Sequence, residues 1–129
     1  MSVVSVYAVF ADAEEAERIG RTVIEERLAA CINILAPVRS IYRWKGKICK
    51  DGELLLIVKT LEGEFEGVAA TIRELHSYEL PEILSFSVSH GERRFLEWIA
   101  GSVDKNAIFD DEDEEEEELA YAALDPDED

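Results

Sequence analysis

Residues 74–83 read ELHSYELPEI, placing one of the chain's two histidines, His76, three residues before Glu79 and six before Glu82. An imidazole and two carboxylates form a set that a divalent ion can use. Imidazole suits Cu²⁺ and Zn²⁺, and Cu²⁺ accepts tetragonal nitrogen and oxygen ligands. Pro81 fixes the chain path, so Glu82 is pre-placed at the mouth of the strand that follows. One histidine does not fill the four positions of a tetrahedral zinc site. Metal binding at His76 therefore needs further groups, and several copies of the chain could supply them. The structural alternative is that His76 ends a helix, where a partly positive ring meets the C-terminal dipole. The residues leave both readings open.

Cys31 follows two alanines in LAACINI. A thiolate there would hold Cu(I), whereas a cysteine among small residues is ordinarily apolar filler. Cys49 carries no evident role. On one unbroken extended segment, 18 residues at ~3.3 Å each would hold the two cysteines roughly 60 Å apart. A disulfide needs Cα atoms within about 7 Å, so the thiols are expected to be free unless the segment folds back sharply. Tyr42, Trp44, Lys59 and Tyr78 are candidates to line a cleft. The structural alternatives are interface packing for the aromatic residues and a surface ion pair for Lys59. Signatures of an enzyme are absent: the chain has no G-x-S-x-G, phosphate loop or C-x-x-C. His76 and Glu79 can be written as a base and its orienter, but no nucleophile or electrophile accompanies them.

The elements that must position these groups can be read from periodicity. VVSVYAVF (3–10) is β-branched and aromatic, a strand. Asp12 and Glu15 match a capping box, and Ala16, Ile19, Gly20, Val23, Ile24 and Leu28 recur at helical spacing. Residues 30–48 are extended almost throughout, with Pro37 marking a bulge or an edge. Asp51-Gly52 is the turn signal, and ELLLIVKT (53–60) is the return strand, apolar enough for burial on both faces. Phe65, Val68, Ala69, Ile72, Leu75 and His76 form a second helical stripe that Pro81 must stop. EILSFSVSH (82–90) alternates, with Leu84, Phe86 and Val88 on its expected buried face. Phe95, Trp98, Ile99 and Val103 predict a last helix. The order β-α-β-β-α-β plus a helix is an α+β, ferredoxin-like pattern with an overlong β2–β3 hairpin. Tyr42 and Trp44 lie on the projecting part, beyond reach of the chain's own core, so the arm is expected to contact other copies.

Charge is divided unevenly. The 129 residues hold 30 acids and 13 bases, a formal net charge of −17. Residues 110–129 contribute thirteen acids and no base, which leaves seventeen acids against thirteen bases in residues 1–109. The expected division is a folded domain over 1–109 and an acidic, solvated tail over 110–129. The mild acidity of the domain argues against nucleic acid, which needs clustered cations. Lys45, Lys47 and Lys50 are the only basic cluster, and they read as a solvated hairpin tip. No apolar run approaches the about 20 residues of a membrane span. The N-terminus lacks a basic leader region, and a cytoplasmic location with reduced thiols is expected.

LAACINI (28–34), SIYRWKGKI (40–48), LLLIVKT (54–60), ELHSYELPEI (74–83) and FLEWI (95–99) together resemble the CutA divalent-cation tolerance family, in order over about residues 3–104. The resemblance implies a homotrimer joined by the long hairpin and by strand pairing between subunits. It also implies a role in tolerance of copper or other divalent ions without catalysis. Carried over, it makes Cys31 a soft ligand beside His76, Glu79 and Glu82. Ser77 stands where many members have proline, and Phe10 where some have cysteine, so a ligand set using that cysteine is incomplete here. The tail lies outside the resemblance. A second reading is a trimeric signalling module, similar in architecture to PII proteins, whose clefts hold a small anion on Lys59 and the Lys45–Lys50 tip.

Overall fold

Strand β1 (Val3–Phe10) shows the organising pattern. Val4, Val6, Ala8 and Phe10 are buried, while Ser5, Tyr7 and Val9 alternate onto the other face. The computed structural model describes residues 2–106, so the expected tail at 110–129 lies outside the described residues. Helix α1 (Ala13–Glu25) is capped by Asp12, whose carboxylate accepts the Glu14 N–H at 3.0 Å. The other half of the expected capping box does not form, because the Glu15 carboxylate accepts the Ser77 N–H at 2.7 Å instead. The helix also stops short of Leu28. Arg27 takes φ 56, and the Leu28 and Ala29 N–H groups both bond to Val23 O. Helix α1 lies close to the sheet at Gly20, where a Cβ would stand 2.4 Å from Ile32 Cδ1.

The hairpin pairs β2 (Cys31–Trp44) with β3 (Lys47–Leu61). Its turn is Lys45-Gly46, with φ 50 and 80, the type I′ geometry that matches strand twist. This corrects the expected turn at Asp51-Gly52, which lies inside β3 opposite Ser40 and Arg39. A turn at 51–52 would leave much of β2 without a ladder partner, whereas the observed one sets 14 residues against 15. The bulge expected at Pro37 is present, between Leu35 and Val38. Folding back brings Cys49 opposite Tyr42, eleven residues along β2 from Cys31, about 36 Å by strand rise. The two thiols are free.

The sheet order is β2-β3-β1-β4 and every pairing is antiparallel. After β3 come helix α2 (Phe65–Leu75), strand β4 (Ile83–Ser87) and helix α3 (Arg93–Ser102). This is the expected α+β, ferredoxin-like order. Helices α1 and α2 cover one sheet face, with Ile19, Val23, Val68 and Ile72 packed against Val6, Phe10, Leu56 and Val58. Each such side chain contributes about 1.5–3 kcal/mol on burial.

Two strand expectations are corrected. β3 buries Leu56, Val58 and Thr60 against the helices, while on its other face the apolar Leu55 and Ile57 are only intermediate, as is Lys59, and the buried residue there is Glu53. In β4, Phe86 and Leu84 pair with Ser5 and Tyr7, which turns them away from the helices. Each remains 50% exposed. Register decides this, because Ser85 and Ser87 stand opposite the core residues Val6 and Val4. The face that α1 and α2 leave open is thus apolar, with Tyr7 and Phe86 rings 4.9 Å apart.

Candidate functional site

The loop between α2 and β4 crosses the end of β1 where the arm leaves the sheet. His76 ends α2, its N–H bonded to Ile72 O and its backbone extended at φ −75, ψ 140. Its fully buried ring stacks on Phe10, with centroids 4.3 Å apart. Nε2 lies 2.7 Å from Val9 O, to which it can only donate. Nδ1 therefore accepts, and it receives the Tyr78 N–H at 3.0 Å. The Glu15 carboxylate stands 3.4 Å from that nitrogen while bonding Ser77 N–H. The ring thus links β1, α1 and the 76–78 loop, and neither nitrogen keeps a free lone pair for a metal. The expected capping role is also modified: the helix is capped by backbone, and the ring serves Val9.

Beyond this link lies a cleft of about 990 Å³, lined by β2 and β3 at the root of the arm and by residues 77–80 and 82. Tyr42, Trp44, Tyr78, Glu79 and Glu82, five of the eight residues singled out in the sequence, meet there with Asp51 and Glu53. Alternation explains the placement. Asp51, Glu53 and Leu55 share one face of β3, and Tyr42 and Trp44 oppose Cys49 and Lys47 on that same face. The Tyr78 hydroxyl donates to Glu53 Oε2 at 2.7 Å, and the Tyr42 hydroxyl donates to Asp51 Oδ2. The bond to Asp51, more than burial, pushes the Tyr42 phenol up to about 12. Burial first, then the bond to Glu53, holds the Tyr78 phenol well above its usual 10. Both phenols are neutral donors near pH 7, and each occupies a carboxylate. Glu79 and Glu82 are exposed and carry no such bond among the described residues.

Cys31 and Lys59 are not brought to the cleft. They face each other across β2 and β3, and the Lys59 ammonium lies 5.9 Å over the Phe95 ring. Among the described residues, no three His, Cys, Asp or Glu side chains converge in a way that would hold an ion. The cleft supplies carboxylate oxygen, suited to hard divalent ions, and among the described residues that line it there is no imidazole or thiolate for a copper-selective set. The anion reading finds little support in the cleft, where Arg39 is the one base beside four carboxylates and the Lys45–Lys50 tip residues and Lys59 are absent from the lining. Sequence reasoning missed Glu15, Asp51 and Glu53. Glu15 stands four residues before Ile19 on the buried stripe of α1, a visible signal. The two acids of β3 share a face, but that had meaning only once the turn was correctly placed.

The family model described as CutA1 divalent ion tolerance protein matches residues 4–102. The divalent-cation tolerance protein CutA of Thermus thermophilus is 43% identical over 86 residues, covering 67% of this chain and 84% of that one. The chloroplastic CutA protein of Arabidopsis thaliana is 33% identical over 97 residues, 75% of this chain, which spans about half (53%) of that relative. The structure of the Archaeoglobus fulgidus divalent cation tolerance protein CutA, described as periplasmic, superposes with a TM-score of 0.77 at 37% identity, covering 79% of this chain and 99% of that one. No helix among the described residues is long and apolar enough to cross a membrane.

Proposed function

The chain belongs to the CutA1 divalent ion tolerance protein family, and on that premise we propose that it is a non-catalytic homotrimer that takes up copper or another divalent ion at clefts shared between subunits in the cytoplasm. The observation that carries this reading is the cleft itself. It presents two uncommitted carboxylates, Glu79 and Glu82, beside two more held by tyrosines. It does so at the root of an arm with more exposed apolar surface than one chain can use: Ile41 and Ile48 are 68% and 67% exposed. A second subunit packed on the arm or the open sheet face would add donors and exclude water. His76 holds the loop that carries Glu79 in place. With both ring nitrogens bonded, it is not poised as a general base, which supports the non-catalytic reading.

Titration calorimetry on the full chain with Cu²⁺, and separately with Zn²⁺, tests this. The double variant Glu79→Gln, Glu82→Gln is expected to weaken uptake at least about tenfold, or about 1.4 kcal/mol. Uptake unchanged in that variant would move the ion elsewhere, and no uptake by the unmodified chain would end the metal-binding reading. Sedimentation showing a lone 14.5 kDa subunit at micromolar concentration would remove the shared cleft.

A further inference from the structure

Strand β3 buries an acid where its apolar neighbours on the same face are only half covered. Glu53 is 7% exposed, while Leu55 and Ile57 are intermediate. A carboxylate this deep is ordinarily paired with a cation, because leaving water costs it more than one neutral hydrogen bond returns. Among the described residues Glu53 has no such partner: the ion pairs are His76–Glu15 and Lys105–Glu64, and neither reaches it. Its hydrogen bond comes from the Tyr78 hydroxyl, to Oε2. No fully buried side-chain oxygen among the described residues lacks a partner, so Oε1 opens to the cleft that Glu53 lines. Arg39, the base of that lining, does not neutralise it. Val38 stands opposite Glu53 and Arg39 opposite Gly52, so alternation puts the Arg39 side chain on the other face of the ribbon.

The surroundings of Oε1 are rich in carbon. Tyr42 and Tyr78 share the cleft with Val9, Val38, Leu55 and Leu80. Tyr78 bonds Glu53, Tyr42 bonds Asp51, and each carboxylate also raises the other's phenol through space. The four groups are thus one cluster of two acids and two neutral rings. The Trp44 ring is already engaged by the Lys45 ammonium, 5.7 Å from its centroid, which leaves the phenol rings as walls. We propose that Glu53 anchors a site for a small aliphatic primary amine, whose ammonium donates to Oε1 and whose carbon chain lies against Tyr42, Tyr78 and Leu55. A primary ammonium brings three donors, and electron-rich rings attract its charge while covering its methylenes. The cleft, about 990 Å³, has the size of a small-molecule site, about 300–1,000 Å³. An ion with six waters fills only about 200 Å³. Glu79 and Glu82, the carboxylates of the ion reading, are instead exposed, so the two sites use different acids.

Titration calorimetry of the full chain tests this, in buffer of constant ionic strength containing EDTA. The probe is n-butylammonium, with n-butanol as the control for the carbon chain alone and ammonium chloride for the charge alone. Butylammonium is expected to bind at least about tenfold tighter than either control. Glu53→Gln, which can still accept from Tyr78 but carries no charge, should weaken that binding about tenfold or more. Overhauser contacts from the probe's methylene protons to the Tyr42 and Tyr78 rings of the unsubstituted chain locate the site without any variant. Butylammonium bound no better than butanol would overturn the proposal. So would contacts confined to Phe95, Trp98 or the open sheet face, or undiminished binding by a folded Glu53→Gln protein. EDTA removes divalent ions throughout, so each outcome is independent of metal uptake.

Discussion

Replacing His76 with alanine tests the link between the core and the cleft. The substitution removes a fully buried ring, its stack on Phe10, and the partners of Val9 O and the Tyr78 N–H. The lost stacking costs about 0.5–1.5 kcal/mol, and each main-chain group left unpaired in the interior costs about 1–3 kcal/mol. Partial collapse and entering water recover some of this, leaving an expected loss of about 3–5 kcal/mol. Urea unfolding measures it, at one fixed chain concentration, since the proposed assembly would shift the midpoint. With a slope of about 1–3 kcal/mol/M, the midpoint should fall by roughly 2 M. His76→Gln, which can still donate to Val9 O, should recover part of the loss and keep divalent-ion uptake close to that of the parent. A loss under about 1 kcal/mol in His76→Ala would refute the structural role. So would a folded His76→Gln protein that no longer takes up ion, since that outcome makes the ring a ligand.

Tyrosinate absorbance should show Tyr42 titrating near 12, and Asp51→Asn should return it toward 10. The native state holds the Tyr42 and Tyr78 protons more firmly than the unfolded chain, so their stabilisation is complete below about pH 10 and is lost as pH rises through the folded values; midpoints measured from pH 8 to 12 check the sign. Gly46→Val forces a β-branched residue to φ 80 and should lower stability by about 1–2 kcal/mol, whereas Lys45→Asn, creating Asn-Gly, should be neutral or stabilising; thermal midpoints decide. Phe86→Glu, on the apolar open face beside Tyr7, should yield a folded lone subunit by sedimentation, and unchanged assembly would show that this face is not an interface.

The order of elements was legible because each carries its own period: alternation in β1, the stripes of α1, α2 and α3, the bulge at Pro37. What escaped was set by pairing between distant segments. Asp-Gly is the stronger local turn signal, yet Lys45-Gly46 forms the turn because only there do both long strands find partners along their lengths. The apolar side of β4 is plain in the sequence, but which way it faces depends on its register with β1. Glu15 fits a capping box locally and is taken instead by Ser77 and His76, 61 and more residues away. In the cleft, Glu79, Glu82 and Tyr78 were visible as a cluster in one loop. Asp51 and Glu53 joined them only through the hairpin's true register.

The cleft's walls stand on the same two strands that form the arm. Anything that favours the arm's seated position in an assembly also shapes the cleft, and an occupant that prefers the shaped cleft must favour assembly by an equal factor. Binding isotherms recorded at two dilutions of the chain should therefore fail to superimpose, and the gap between them would measure that reciprocal coupling.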